Sequence, residues 1–425
     1  MKRRSLLKLL GAGGLLASPA LTHAAKASKV SAVFQPLDPA RWSFANRAAI
    51  NQLMAVNGHT SKGYTEKKKP YAVFDWDNTC IMNDCEEALM MMQIDTLAYK
   101  LTPDEFAGVV RQDVPNGAFK PEFKTVAGNS VNAEDLAADI ESDYRWLHAN
   151  YKGLAGTKSL DQIQQTEQFK DFRAKMRFMY EAVCDSYPIE IGYKWIIYFF
   201  KNFSRAELAA LVETSNDLNL GDGLRKIKYT SPDNLPGRAG VVAISHFHGL
   251  RIHTEMASLM GALRANGIDV YVSTASLDDV VRVFAELPKY GYNVPAENVI
   301  GLRLDMNGER YSSVYRQGWH FNWGPGKTVG IKNELVAKKG YGPLLVLGDS
   351  DGDAWMLKDF ADTKLGIIVN RMKKGEIGDR SKAAAEQRGT PNPRFILQGR
   401  IEATGIFLPD ERTLKFGKTE LQLLA

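Results

Sequence analysis

The sequence predicts an α/β protein built on an open, mostly parallel sheet, with a large and mostly helical insertion. Three observations predict it. Tyr71-Ala72-Val73-Phe74 and Leu344-Leu345-Val346-Leu347 are short apolar runs of the kind that form buried strands. Each runs directly into carboxylates, and the C-terminal edge of strands is where ligands bind in open α/β sheets. Between Thr79 and the next such run, Val270-Tyr271-Val272-Ser273, lie nearly 200 residues, far more than one crossover needs.

Residues 1–24 read as an export signal. Lys2, Arg3, Arg4 and Lys8 lead into a mildly apolar stretch to Leu21, and Thr22-His23-Ala24 is a small-x-small cleavage pattern, so the mature chain is expected to begin near Ala25. Arg3-Arg4 with Leu6-Leu7-Lys8 points to the twin-arginine route, which exports folded proteins, with an ordinary secretory signal as the alternative. The expected location is periplasmic or secreted, and the export machinery is the expected passing partner. No other apolar run approaches the roughly 18 residues of a membrane span. No cysteine sits at the cleavage site to carry a lipid. The formal charge is +5, and the signal holds four basic residues and no acids, so the rest of the chain is near +1 and gives no support for nucleic-acid binding. Lys67-Lys68-Lys69 reads as a solvated loop. With 44% hydrophobic residues the chain can bury a large core, as two domains or one with a big insertion.

Residues 25–83 are expected to hold an N-terminal segment and the first core strand. Residues 84–236 are the expected insertion. Apolar residues recur at helical spacing in 86–99, 136–147, 168–183 and 193–200, and Ser204 suits the start of the helix after it. The aromatics Tyr144, Trp146, Tyr151, Tyr187, Tyr193, Trp195, Tyr198 and Phe199 are expected mostly to pack its core. The main sheet is expected to resume in 237–425. A helix over 254–266 leads into the Ser273 strand, and another follows over 277–287. Asp305-Met306-Asn307-Gly308 marks a tight turn between two strands. A helix over 327–338 precedes the second acidic strand, and Leu365-Gly366-Ile367-Ile368-Val369 is expected to be the last buried strand. The tail beyond about 370 carries short strand-like pieces without a legible role. Cys80, Cys85 and Cys184 match no zinc spacing. A disulfide between two of them is compatible with export, and the sequence does not choose the pair. Cys80 reads as a small buried residue rather than a nucleophile.

Asp75 and Asp77 lie two residues apart at a strand end, so both side chains face one pocket while Trp76 turns away. Taken alone, an exposed acidic turn explains them equally well. The second cluster is Gly348, Asp349, Ser350, Asp351, Gly352 and Asp353. A calcium loop would need glycine at the sixth position and Glu at the twelfth, where this chain has Ala354 and Phe360. What remains is a second strand delivering acids at the same edge.

With those residues in place the chain resembles the haloacid dehalogenase-like phosphatase superfamily. Its signatures occur in order: Asp75-Trp76-Asp77-Asn78-Thr79, the strand ending at Ser273, a lysine best matched by Lys327, and Gly348-Asp349 with Asp353. The resemblance covers roughly 70–370 and is greatest to the phosphoserine phosphatase and phosphorylcholine phosphatase branch. It implies a doubly wound, Rossmann-like core with a helical cap domain. It also implies roles. Asp75 is the nucleophile that forms an aspartyl-phosphate, and Asp77 is the acid and base. Mg²⁺ is held by Asp75, the backbone carbonyl of Asp77, and Asp349. Ser273 binds a phosphoryl oxygen, with Thr274 and Ser276 as alternates. Lys327 binds phosphate and keeps the nucleophile ionised, and Asp353 orients Lys327 or a water on the metal.

Glu86, Glu87 and Trp323 are candidate substrate contacts. The two acids have no basic neighbour in sequence before Lys100, and carboxylates beside aromatics suit a cationic leaving group such as choline or ethanolamine. Equally, both are acids in a first helical turn, where the dipole favours them. The expected function is an exported Mg²⁺-dependent phosphomonoesterase. A phosphotransferase or mutase, or an idle periplasmic binding protein, are the competing readings.

Overall fold

The computed structural model describes residues 33–424, and the export signal with its cleavage site lies outside them. The fold is organised by six strands, all paired in parallel: β1 Tyr71–Phe74, β2 Asp269–Leu277, β3 Val299–Leu302, β4 Leu345–Gly348, β5 Leu365–Val369 and β6 Phe395–Gln398. Their order is β6-β5-β4-β1-β2-β3. The chain adds β2 and β3 on one side of β1, then crosses to add β4, β5 and β6 on the other. This is a doubly wound α/β core, and the strand order reverses beside β1. Every residue of β1, β4 and β5 is buried, as continuous apolar runs in a two-sided sheet should be.

The sheet has two strands that the sequence does not name, Val299–Leu302 beside β2 and Phe395–Gln398 at the other edge. Phe395–Gln398 pairs with β5. Its three apolar residues become a sheet edge because helix α1, Phe44–Asn57, covers them, with Asn46 Nδ2 donating to Leu397 O at 2.6 Å. Beyond it, residues 400–422 form a four-stranded sheet of two-residue strands.

Between β1 and β2 run α2 Cys85–Thr96, α3 Pro103–Arg111, α4 Ala133–Asn150, α5 Leu160–Gln164, α6 Glu167–Ser186, α7 Ile189–Tyr198, α8 Arg205–Gly221 and α9 Thr254–Ala265. Ser204 caps α8 by accepting from Glu207 N, and Glu207 reciprocates, a capping box. Aromatics fill the centre of this segment. Phe106 stacks on Tyr144 at 3.7 Å between centroids, and Tyr99, Phe172 and Phe199 surround them. A hairpin, Arg225–Thr230 with Ala243–His248, pairs only with itself. The boundary expected at 236 falls in the hairpin's connection, which is pinned to α4 and α6. Buried Lys175 donates to Asp139 at 2.9 Å, Asp171 at 2.8 Å and Pro236 O at 3.1 Å, while Asp139 accepts from Arg238 N and Ala239 N. Helix α10, Asp278–Glu286, follows β2.

The helix expected over 327–338 is compound. Helix α11, Pro325–Ile331, passes into a π turn, Lys332–Val336, and ends at Gly340 with φ +82°. Among the described residues no helix is long and apolar enough to cross a membrane.

Candidate active site

Strand register assembles the site. Phe74 pairs with Leu347 on one side and with Val272 on the other, and Asp75 N donates to Leu347 O at 3.0 Å. Asp75, Asp349 and the end of β2 therefore leave the sheet at one edge. Trp76 points the other way and packs on Tyr292 and Phe284. Asp75 is buried. Its Oδ1 accepts from Lys327 Nζ at 2.5 Å and its Oδ2 from Thr79 Oγ1 at 2.7 Å.

Thr79 Oγ1 also lies 2.9 Å from Asp349 Oδ1. A hydroxyl has one proton, so it serves only one of the two carboxylates at a time. Burial, then the nearby Asp353 charge, push Asp75 well above the usual carboxylate range. Burial acts on Asp349 in the same sense. There the Arg371 guanidinium, bonded to Oδ2 at 2.5 Å, outweighs it and holds the group below the usual range.

Lys327 arrives in the first turn of α11. Gly326 before it has no room for a side chain, because a Cβ would meet Phe321 O at 1.6 Å. Burial acts against the Lys327 charge, but Asp353 and Asp75 hold the ammonium firmly protonated. Asp353 Oδ1 accepts from Lys327 at 2.7 Å, and its Oδ2 accepts from Asp349 N, Ser350 N and Ser350 Oγ. With both oxygens engaged, Asp353 serves as scaffold for the lysine and the acidic turn. Asp75, Asp349 and Asp353 each place an oxygen within 4.8 Å of the others, a set of hard donors suited to a divalent cation.

Asp77 Oδ1 accepts from Cys85 N at 2.8 Å and Oδ2 from Ser276 Oγ at 2.9 Å. Burial raises its carboxyl despite those bonds, which favours a group able to carry and return a proton. Asn78 between the two key residues has φ +64°, which turns Thr79 back toward Asp75. Arg400 holds that turn, donating to Asn78 O at 3.0 Å and Asn78 Oδ1 at 3.3 Å.

The Ser273 hydroxyl is fully buried and accepts from Asn322 Nδ2 at 3.0 Å, and Ser273 does not line the cavity. The alternates Thr274 and Ser276 do line it, with Thr274 Oγ1 accepting from Ser276 N at 3.1 Å.

The cavity above these groups holds about 640 Å³. Trp323, Glu86 and Glu87 line it as expected. Asp84 caps α2 by accepting from Glu86 N and Glu87 N, which accounts for acids in that first turn. Glu86 is buried, accepts from Leu277 N at 2.9 Å, and is pushed up by burial. Glu87 is not without a cation. Arg177 of α6 reaches it at 3.1 Å and also binds Glu181 at 2.6 Å. The three cysteines are free, so no disulfide joins them.

Arg371, Arg400 and Arg177 were not legible as site residues. Arg371 did leave a trace, since it follows the end of β5 by two residues at the same sheet edge. The other two reach the site from 322 and 90 residues away in sequence.

No family model matches the chain. A conserved protein of unknown function from Anaerococcus prevotii has a solved structure that is 31% identical, with a TM-score of 0.84, covering 90% of this chain and 100% of its own. The phosphorylcholine phosphatase of Pseudomonas aeruginosa is 25% identical over 389 residues, 85% of this chain and 88% of that protein.

Proposed function

The chain belongs to the haloacid dehalogenase-like phosphatase superfamily and is a phosphoric monoester hydrolase, and from that premise we propose an exported, Mg²⁺-dependent enzyme that works through an aspartyl-phosphate and prefers esters of cationic amino alcohols. The observation that carries the reading is the convergence of Asp75, Asp77, Thr79, Lys327 and Asp349 at one sheet edge.

Asp75 is the nucleophile. One oxygen forms a bond to phosphorus while the bond from phosphorus to the alcohol oxygen breaks. Lys327, bonded to that carboxylate, opposes the burial that pushes it up, and neutralises charge on the phosphoryl group. Asp77 gives its proton to the departing alcohol. It then takes a proton from the water that cleaves the aspartyl-phosphate, releasing phosphate and restoring both acids. Thr274 or Ser276, which line the cavity, would hydrogen-bond a phosphoryl oxygen. Asp75 and Asp349, with the Asp77 carbonyl, would hold Mg²⁺, which supplies charge neutralisation for a dianionic ester.

Helices α2–α8 and the hairpin to His248 act as the cap that selects the leaving group. Asp84, Glu86, Glu87 and Glu181 line its side of the cavity with Tyr180, Tyr193 and Phe247, against Arg177 and Lys226, while Trp323 lines the core side. This excess of carboxylates beside aromatic faces supports a quaternary or primary ammonium, each good cation–π contact contributing about 0.5–2 kcal/mol. The name of the Pseudomonas relative supports the same class. The arginine pair near the N-terminus supports twin-arginine export to the periplasm.

Phosphate release from a panel of monoesters tests the reading. Wild type should release phosphate, fastest from phosphorylcholine or phosphoethanolamine, and Asp75→Asn should lose at least about a hundredfold in kcat. A preference for sugar phosphates would remove the cationic-substrate reading, and an active Asp75→Asn would remove the nucleophile.

A further inference from the structure

The C-terminal sheet has no part in the motifs, yet it reaches the reacting groups at two points. Arg400, on the strand Arg400–Ile401, is 1% exposed and donates from two nitrogens to the oxygens of Asn78. Its own backbone N is fixed by Thr413 Oγ1 at 3.1 Å, one strand away. Glu402 lies 3.9 Å from the guanidinium, and the Asp349 charge also acts on it, so no carboxylate binds it as closely as the Asn78 oxygens do. Lys415 of the same sheet donates to Glu402 Oε1 and to Arg371 O, both at 3.1 Å. Arg371 in turn binds Asp349.

We propose that Arg400 is a positioning residue, which holds the Asp77–Thr79 turn in its left-handed form through Asn78 and makes the C-terminal sheet part of the catalytic centre. The inference rests on the phosphatase reading above. The reason is geometric. Asn tolerates φ near +60°, and the turn is already held by Asn78 N donating to Asn83 O and Cys80 N to Trp76 O; Arg400 adds a fixed donor to both the backbone and side-chain oxygens of Asn78. Releasing the turn moves Asp77 and the Thr79 hydroxyl together. Asp77 matters most when the leaving alcohol needs a proton, so a loosened turn should harm poor leaving groups most.

The test uses the full chain without its export signal. Arg400→Gln and Arg400→Lys are compared with wild type on an aryl phosphate, a good leaving group, and an alkyl phosphate, a poor one. For Arg400→Gln we expect kcat to fall at least about tenfold on the alkyl ester, less on the aryl ester, with KM within about twofold, and partial recovery with added guanidinium. Arg400→Lys should lie between. Hydrogen exchange of the 76–83 peptide should quicken in both variants while 365–369 stays protected. That arm does not depend on activity. If no monoester is cleaved by wild type, the phosphatase reading fails while exchange still decides the role of Arg400. If Arg400→Gln does not fold, Arg400→Lys decides by the same comparison. Equal losses on both esters, or unchanged turnover and exchange, would overturn the proposal.

Discussion

Lys327 Nζ lies 2.5 Å from Asp75 Oδ1, with both groups buried. This contact draws the nucleophile toward its charged form, against burial and the Asp353 charge. Arg371 is committed to Asp349, so Lys327 is the cation bonded directly to Asp75.

Replacing Lys327 by Met should therefore do more than remove a phosphate contact. It strands Asp75 and Asp353 without their cation, a change that costs on the order of 3–5 kcal/mol in a buried pair. Loss of a cation favours the neutral acid, so the Asp75 pKa rises further. The acidic limb of the kcat/KM profile should move to higher pH, and turnover should fall at least about a hundredfold at neutral pH. A pH–rate profile with its acidic limb unmoved would exclude this role.

Chelation should abolish turnover, and Mg²⁺ should restore it. Ca²⁺ should restore it poorly, because its looser, higher coordination draws both oxygens of a carboxylate to the ion. Full activity in excess chelator would show that the carboxylate group of Asp75, Asp349 and Asp353 holds no metal needed for reaction.

The Glu87–Arg177 pair gives a prediction with opposite signs. Glu87→Gln removes an anion from the cavity wall and should lower the ratio of kcat/KM for phosphorylcholine to that for a neutral aryl phosphate. Arg177→Met uncovers Glu87 and Glu181 and should raise the same ratio. Each change should be about threefold to tenfold, as expected for a partly exposed charge. Using a ratio removes any loss of folded protein from the comparison, and movement in the same direction would mean the pair is only structural.

Within the insertion, burial first and then the neighbouring Asp171 push Asp143 up to about 9. The folded protein thus keeps a proton on Asp143 that the unfolded chain loses near pH 4. Stability from this group is complete below pH 4 and is lost as the pH rises toward 9. Asp143→Asn, a mimic of the protonated acid, should match wild type in calorimetry at pH 4.5. At pH 9 it should melt at least about 2 °C higher.

Much of this site could be read from residues that lie close in sequence. Asp75, Asp77, Asp349 and Asp353 each follow a four-residue apolar strand, and strand ends of one parallel sheet share an edge. Lys327 was legible through the order of the family's motifs, as the lysine between the Ser273 strand and Gly348-Asp349. Ser273 and Thr274 are neighbours on one strand, and contacts such as Asn322 on Ser273 are invisible to the local sequence. Glu87 looked unpaired because its cation sits on α6, 90 residues on. The edge strand Phe395–Gln398 went unread for the same reason, since its cover is α1, some 350 residues earlier. Contacts made by packing leave no local periodicity to detect.

Asn78 and Arg400 are 322 residues apart, which has a consequence for the protein's birth. At 5–20 residues per second, a growing chain carries its nucleophile loop for about 15–60 s before the guanidinium that fastens it is made. The 322 residues between them must be synthesised before that contact can form. A chain cut before Arg400 would carry the aspartates without this fastening, and should turn over more slowly than the whole protein.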